Sequence, residues 1–438
     1  MSSVWRNWAG NEEARPRRVL RPASTEEVAA AVKDAVRSGL RVKAVGAGHS
    51  FSAVAVAPDA QLRPDRLDGV SSIDPRTGLV TVEAGMPLWK LNPLLAAQGL
   101  AMENLGDIDR QTVSGAISTG THGSGAGFGG IATQVRALEL VLADGSVTTC
   151  SADEHPELFA AARVGLGALG VITRVTLQCV PLFALHAHDA AMPVEDVLAG
   201  IDGFAADNDH FEFFWFPHSG TALTRRFRRL PATVPLKPIG AFARRLDETV
   251  SGLGFEGLNR IGTRFPGLVP PITRFAARAM SSREWTDLSH RVFASVRDVR
   301  FHEGEFAVPR EHAGEALREL KRWIDAHQEK VSFPLEVRFA AADDIWLSTA
   351  QGRDTCYIAF HQYHRMPYRR YFRACQDILG SYGGRPHWGK MHDFDAADLR
   401  PRYPHFDDFV ALRDALDPTG VFTNPYLDRV LGPAPSSS

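Results

Sequence analysis

A chain of 438 residues is too long for one ordinary hydrophobic core, so it is expected to fold as two domains or two fused lobes. Its 44% apolar and 23% charged residues are those of a globular protein, and a formal charge of −2 argues against nucleic acid or an acidic membrane surface as the main partner. Four cysteines without a CxxC pair, no apolar run near the ~20 residues that span a bilayer, and no apolar core segment in residues 1–10 point to a reduced, cytoplasmic setting, with peripheral membrane contact left open.

Ser24-Thr25-Glu26-Glu27 has capping-box spacing and opens a helix with Val28, Val32, Ala35 and Val36 on one face, ended by Gly39. Residues 41–45 read as a strand running into a tight turn, Gly46-Ala47-Gly48-His49-Ser50. Residues 79–84 are a second strand, Pro87 starts a helix, and Gly99 closes it. From Thr112 to Gly130 no amphipathic period survives, and glycines recur at 115, 120, 123, 125, 127, 129 and 130. Flanking structure and the presence of Ile117, Thr121 and His122 favour a ligand-cradling loop there over a flexible linker. Asp144-Gly145 predicts a hairpin between 138–142 and 146–150. A helix over 156–163 and a strand over 170–177 follow. Pro181 then marks a boundary between a lobe of residues 1–180 and one of residues 181–438.

The second half opens on an aromatic strand, Phe211 to Phe216. The basic run Arg225-Arg226-Phe227-Arg228-Arg229 reads as a solvated strand edge, and residues 230–290 as an irregular helical insertion. Strand 301–308, helix 311–327, strands 335–340 and 356–362, and helix 368–379 then predict an α+β lobe with helices on one face of an antiparallel sheet. A last helix over 406–416 stops at Asp417-Pro418, and residues 432–438 are expected to fray.

Glycines after a strand let backbone N–H groups approach a phosphate or a flat ring, and the turn at 46–50 has them. It is a poor dinucleotide fingerprint, because Phe51 stands where the third glycine belongs and Pro58 spoils the following helix. A lone histidine is ordinarily structural. His49, however, lies in a glycine-lined bend, and an imidazole is a competent nucleophile near neutral pH. Glu336 and Arg338, two apart on a strand, point to the same side; the pair suits a hydroxyl-bearing substrate or a salt bridge on a solvated face, and spacing alone does not separate the two. Lys390, after Trp388-Gly389, offers an ammonium for a developing negative charge, although a surface lysine is the plainer reading. His361 and His364 lack the further ligands that a metal site needs.

Taken together, the segments 46–51, 104–125, 165–173, 336–338 and 387–390 resemble the vanillyl-alcohol oxidase (PCMH-type) group of flavoproteins. The runs Asp209 to Phe214 and Gly352 to Tyr357 resemble its sugar-1,4-lactone oxidase and dehydrogenase branch. The resemblance implies a two-lobe α+β fold: an FAD-binding first lobe, and a substrate lobe that caps the ring and whose C-terminal segment returns to the first. It implies FAD bound through a single covalent bond from His49, with Ala44, Val45, Gly46, Ala47, Gly48, Ser50, Thr112, Gly115, Thr119, Gly120, Thr121, His122 and Val171 around it. It places Glu336, Arg338 and Lys390 as catalytic groups, and Asp107, His361, Gln362 and His387 against the substrate. Asp107 stands where alditol oxidases carry a serine, which favours a lactone over a linear polyol; Gly106 leaves room for dioxygen.

The implied reaction is oxidation of an aldono-1,4-lactone, L-gulono-1,4-lactone for example, to an ascorbate-type product, with dioxygen or a cytochrome-type acceptor. An alditol oxidase releasing peroxide, a non-catalytic flavin-binding scaffold and a reductase for a cell-wall precursor are the alternatives. The preferred sugar, the acceptor, the oligomeric state and the role of residues 230–290 are not legible in the sequence.

Overall fold

The computed structural model describes residues 4–295 and 299–435, with backbone alone for 241–251; residues 436–438 of the tail expected to fray lie outside it. The first lobe is built mainly on two sheets. Arg18–Leu20, Ala60–Leu62 and Val42–Ala44 pair in parallel, in that order. Val147–Ser151, Val135–Val141, Val171–Gln178, Leu79–Glu83 and Val70–Asp74 form an antiparallel five-stranded sheet. Val80 and Val82 are fully buried between less buried neighbours, which is the alternation of a sheet with one covered face. Helix Thr25–Arg37 buries Val28, Val32 and Ala35 against Val42, Leu62, Val141 and Val171, while Val36 is exposed, so its apolar face is narrower than predicted. The Ser24 hydroxyl accepts the Glu27 amide at 3.2 Å, but the Glu27 carboxylate accepts the amide of Ala23, not of Ser24.

The glycine-rich stretch is more ordered than its composition suggests. Thr112 caps a short helix, Val113–Ser118, its hydroxyl accepting the Gly115 amide at 3.2 Å. The hairpin expected at Asp144-Gly145 forms, with Val147 opposite Val141 and the Leu142 amide donating to Ser146 O across residues 143–145.

The second lobe is one antiparallel sheet. Among the described residues its eight strands run in the order Arg283–Leu288, Phe183–Pro193, Thr221–Pro231, His210–Phe216, Leu335–Ala340, Thr355–Tyr363, Phe301–Pro309, Arg385–Pro386. Period-2 alternation divides the central strands cleanly. Phe306, Val308, Val337, Phe339, Ile358 and Phe360 face the helices Ala313–Ala326 and Arg369–Ser381 and share one core with Leu317, Leu320, Tyr371 and Leu379. The opposite row is polar: Glu212 pairs with Arg338, Arg338 with Tyr357, Glu336 with Ala359, and Glu303 with His361. This face is buried too, so the solvated salt bridge is not what the strand carries.

The basic run is no solvated edge. It lies on Thr221–Pro231, an interior strand, where Arg225 Nη1 donates to Glu212 at 3.1 Å and the Arg229 guanidinium stacks 3.9 Å from the Phe128 ring. The insertion is regular: helices Ala241–Arg264 and Val269–Arg278 precede the edge strand Arg283–Leu288. At the end the chain comes back to the first lobe. The Val42 amide donates to Val421 O at 2.7 Å, and Asn424 Nδ2 donates to the carbonyls of Ala53, Val54 and Val56. Among the described residues no helix is long and apolar enough to cross a membrane.

Candidate active site

The bend after strand Val42–Ala44 is fixed by its glycines and by what packs on it. Gly48 has φ +73°, which a side chain resists. At Gly46 the limit is space, since a Cβ there would run into the Thr112 hydroxyl. The N-terminal segment braces the bend: Asn7 Nδ2 donates to Ser50 O at 2.9 Å, and the Trp8 indole stacks on the His49 imidazole at 6.0 Å. A main-chain bond from the Phe51 amide to Gly389 O at 2.6 Å and a side-chain bond from the Ser52 hydroxyl to Trp388 O at 2.7 Å then tie the bend to the second lobe. Residues 336 positions apart thereby become neighbours, and Lys390 reaches the same cavity wall as His49.

Three connected spaces result. A cleft is lined by residues 43–50, Thr112, Ser114, Gly115, Ser118, Thr119, Gly167 and Val171. A second space, sharing His49, Ser50, Gln111 and Thr119 with it, is walled by Gly106, Asp107, Thr121, His122, Arg338, His387 and Lys390. The third is bounded by Asp107, His122, Glu303, Glu305, Glu336, Arg338, Tyr357, His361 and Lys390. The cleft fits the FAD that the resemblance implies: it is glycine-lined where a backbone must approach closely, and it ends at a buried His49 Nδ1 with no hydrogen-bond partner. Burial, helped by Arg110 and Lys390, pulls the His49 imidazole down to about 4, so it is neutral and nucleophilic at pH 7.

At the other end the sheet face supplies charge. The Arg338 guanidinium contacts the Glu336 carboxylate, places Nε 2.9 Å from a Glu212 carboxylate oxygen as an ion pair, and lies 3.6 Å from Asp107. Burial opposes its charge, but these carboxylates raise its pKa well above the usual arginine value. Lys390 contacts Glu303 and lies 3.7 Å from Glu305. Burial raises the Glu303 pKa, yet Lys390 and His361 together hold it at about 2, and Glu303 and Glu305 in turn raise the Lys390 pKa. His122 Nε2 meets Glu305 at 2.5 Å and its ring stacks on Tyr357 at 3.4 Å.

Most of the residues named from sequence lie on these walls. Gly120 does not; it turns the chain with φ +75° outside the three spaces. His122 stands with the carboxylates on the second lobe, not in the main cofactor cleft. Gln362 is a correction. It follows His361 on one strand and therefore faces the other way, where Nε2 donates to Lys330 O at 2.9 Å and Oε1 accepts from Ser332 at 3.0 Å. The sequence reading missed Glu303, Glu305 and Glu212. Glu303 and Glu305 carry the same i, i+2 signal on a strand that singled out Glu336 and Arg338. Lys43 was also missed as a chemical group; its buried ammonium donates to Leu166 O at 2.9 Å in the cleft wall, and burial brings it to about 7.

Comparison with known proteins places this geometry. The sequence profile described as D-arabinono-1,4-lactone oxidase matches residues 175–430, and one described as FAD binding domain matches 16–151. The chain is 45% identical over 433 residues to the L-gulono-1,4-lactone dehydrogenase of Mycobacterium tuberculosis, covering 99% of this chain and 100% of that one. It is 38% identical to the L-gulonolactone oxidase of Bos taurus, covering 97% and 98%. The crystal structure of cholesterol oxidase from B. sterolicum superposes with a TM-score of 0.83 at 18% identity, covering 99% of this chain and 97% of that one, a likeness of fold.

Proposed function

The chain belongs to the D-arabinono-1,4-lactone oxidase family of FAD-dependent oxidoreductases, and from that premise we propose that it oxidises an aldono-1,4-lactone such as L-gulono-1,4-lactone, with its FAD bonded to His49. One observation carries the reading. His49, Asp107, Arg338 and Lys390, from two lobes, wall a single cavity between a glycine-lined cleft and a charged sheet face.

Bound FAD supplies an acceptor for the hydride leaving the substrate carbon. The residues do the rest. Neutral His49, with Nδ1 unsatisfied, is the nucleophile that holds the cofactor. Arg338 presents the guanidinium edge turned from Glu212 to the substrate hydroxyl oxygen and stabilises it as it loses its proton, while a Glu336 carboxylate oxygen receives that proton. Asp107 helps to fix the fork from the first lobe. Lys390, held charged by Glu303 and Glu305, offers its ammonium to negative charge gathering on the cofactor side. Tyr357 and His122, stacked and buried, exclude water behind them.

The test is anaerobic titration. L-gulono-1,4-lactone is expected to bleach the flavin, and xylitol to leave it yellow. Bleaching by xylitol alone overturns the lactone reading, and bleaching by neither overturns catalysis of this class. In air, peroxide release assigns dioxygen as the acceptor; its absence with turnover on a dye assigns another.

A further inference from the structure

We infer that the hairpin of residues 5–14 positions His49 for covalent attachment of the cofactor; the inference rests on the His49–FAD bond proposed above. The hairpin forms because Trp5–Arg6 pairs antiparallel with Glu13–Ala14 and Asn7 organises the turn between them. Asn7 Oδ1 accepts the amides of Gly10 at 2.9 Å and Glu12 at 3.1 Å. Its Nδ2 donates to Asn11 Oδ1 at 2.8 Å and to Ser50 O at 2.9 Å. Asn7 is buried, so one amide group both shapes the hairpin and grips the bend.

Three carbonyls of the bend end on this hairpin. Gly48 O accepts the Trp8 amide at 2.8 Å, Ser50 O accepts Asn7, and Phe51 O accepts Asn11 Nδ2 at 2.8 Å. They bracket His49 on both sides. Packing there is as close as the bonding, since a Cβ on Gly48 would lie 3.2 Å from the Trp5 ring.

The bend needs such a brace. Gly46 and Gly48 give it little stiffness of its own, because glycine loses the most conformational freedom on ordering. His49 Nδ1 has no hydrogen bond to aim the ring. The Trp8 indole, 23° from the plane of the imidazole, covers one side of it instead. Trp8 in turn meets Phe51 edge-on at 6.1 Å and Phe301 of the second lobe at 5.4 Å. The imidazole is thus held by backbone and by a ring that is itself wedged between the lobes.

Alignment is what attachment requires. The bond replaces a C–H of the cofactor's ring methyl group by C–N. His49 and the methyl carbon each give up a proton, two electrons pass into the flavin ring, and dioxygen takes both electrons and both protons as peroxide. An imidazole attacks a carbon of this kind only when the two atoms are held in near-attack geometry. None of residues 5–14 lines the cleft assigned to FAD, so binding of the cofactor and bonding to it are separable.

The test supplies FAD to the full-length chain produced under riboflavin starvation and follows it with time. Gel filtration of each sample measures flavin bound, and acid precipitation measures flavin bonded. Asn11→Ala removes one of the three carbonyl contacts and should slow bonding about fivefold. Trp8→Leu keeps the main-chain bond, removes the ring, and should also slow it about fivefold, whereas Trp8→Phe, with a flat ring, should recover most of the rate. Bound flavin at saturation should stay within about twofold of wild type in all three. Bonding at the wild-type rate in Asn11→Ala and Trp8→Leu overturns the inference. So does an equal loss of bound and bonded flavin, which would make the hairpin a brace for the fold alone. A colourless wild-type pellet overturns the His49 bond itself, and is told apart because it precedes any substitution in the hairpin.

Discussion

Arg338 is the residue whose replacement separates catalysis from folding most sharply. It is buried and gathers three carboxylates, from Glu336, Glu212 and Asp107. Arg338→Ala leaves them crowded without a counter-charge, and breaking a buried pair in this way costs about 3–5 kcal/mol of stability. That variant therefore confounds unfolding with chemistry. Arg338→Lys keeps the charge but loses the planar fork, and with it a bond to a charged partner worth ~1.5–3 kcal/mol in stability. If the freed edge of the guanidinium stabilises the reacting oxygen, the same change removes ~3–4 kcal/mol of transition-state stabilisation, or two to three decades in rate. The assay is stopped-flow bleaching of the flavin by L-gulono-1,4-lactone without oxygen, beside urea unfolding of both variants. Arg338→Lys should retain flavin and fold, yet reduce at least a hundredfold more slowly. Reduction within tenfold of wild type would refute the role given to this side chain and leave it a structural cation.

Three further outcomes follow from the same geometry. His49→Ala should release yellow colour into the supernatant of an acid precipitation, whereas the wild-type pellet retains it; colour in both pellets points to another attachment. Gly46→Ala pushes the Thr112 hydroxyl off the Gly115 amide, a cap worth ~1 kcal/mol, and should cut flavin loading more than it cuts stability, measured by flavin absorbance per chain and by urea midpoint. Stability should fall as pH drops from 6.5 toward 4, because burial holds His387 at about 4 and His210 and His392 at about 3. The unfolded chain binds those protons first, so each of these groups contributes stability in full above its unfolded value and loses it as pH falls toward its folded value. A urea midpoint flat between pH 7 and pH 5 would contradict this.

The strands and helices that carry a clear period were legible in the sequence, and so was the glycine-bounded bend. Strand 335–340 and helix 406–416 fall where their patterns put them. Phe183–Pro193 and Thr221–Pro231 were hidden, because interior strands of a doubly covered sheet mix His, Asp and Arg into apolar positions that tertiary ion pairs later satisfy. Gln362 was misplaced by treating neighbours on a strand as companions, although adjacent residues face opposite sides. Glu303 and Glu305 were missed because a same-side pair of acids has no meaning until a lysine far along the chain lies opposite them.

The charged sheet face also shows what this fold is built for. Apolar packing on both sides of strands 301–309, 335–340 and 355–363 would be at least as stable as buried ion pairs, whose desolvation offsets much of their attraction. The sequence instead buries Glu212, Glu303, Glu305, Glu336 and Arg338 in facing rows, with Lys390 beside them. Each cation there is held by more than one acid, so neither can swing when substrate charge changes. A field fixed in advance costs little reorganisation during reaction, and that is where such an arrangement gains over water. The carboxylates behind Lys390 and Arg338 thus matter as much as the cations they orient. On this argument Glu303→Gln should slow flavin reduction and move the alkaline limb of its pH profile downward, since Lys390 loses the nearer of the two acids that raise its pKa. An unmoved limb would mean that Lys390 takes no part in the charge balance of the reaction.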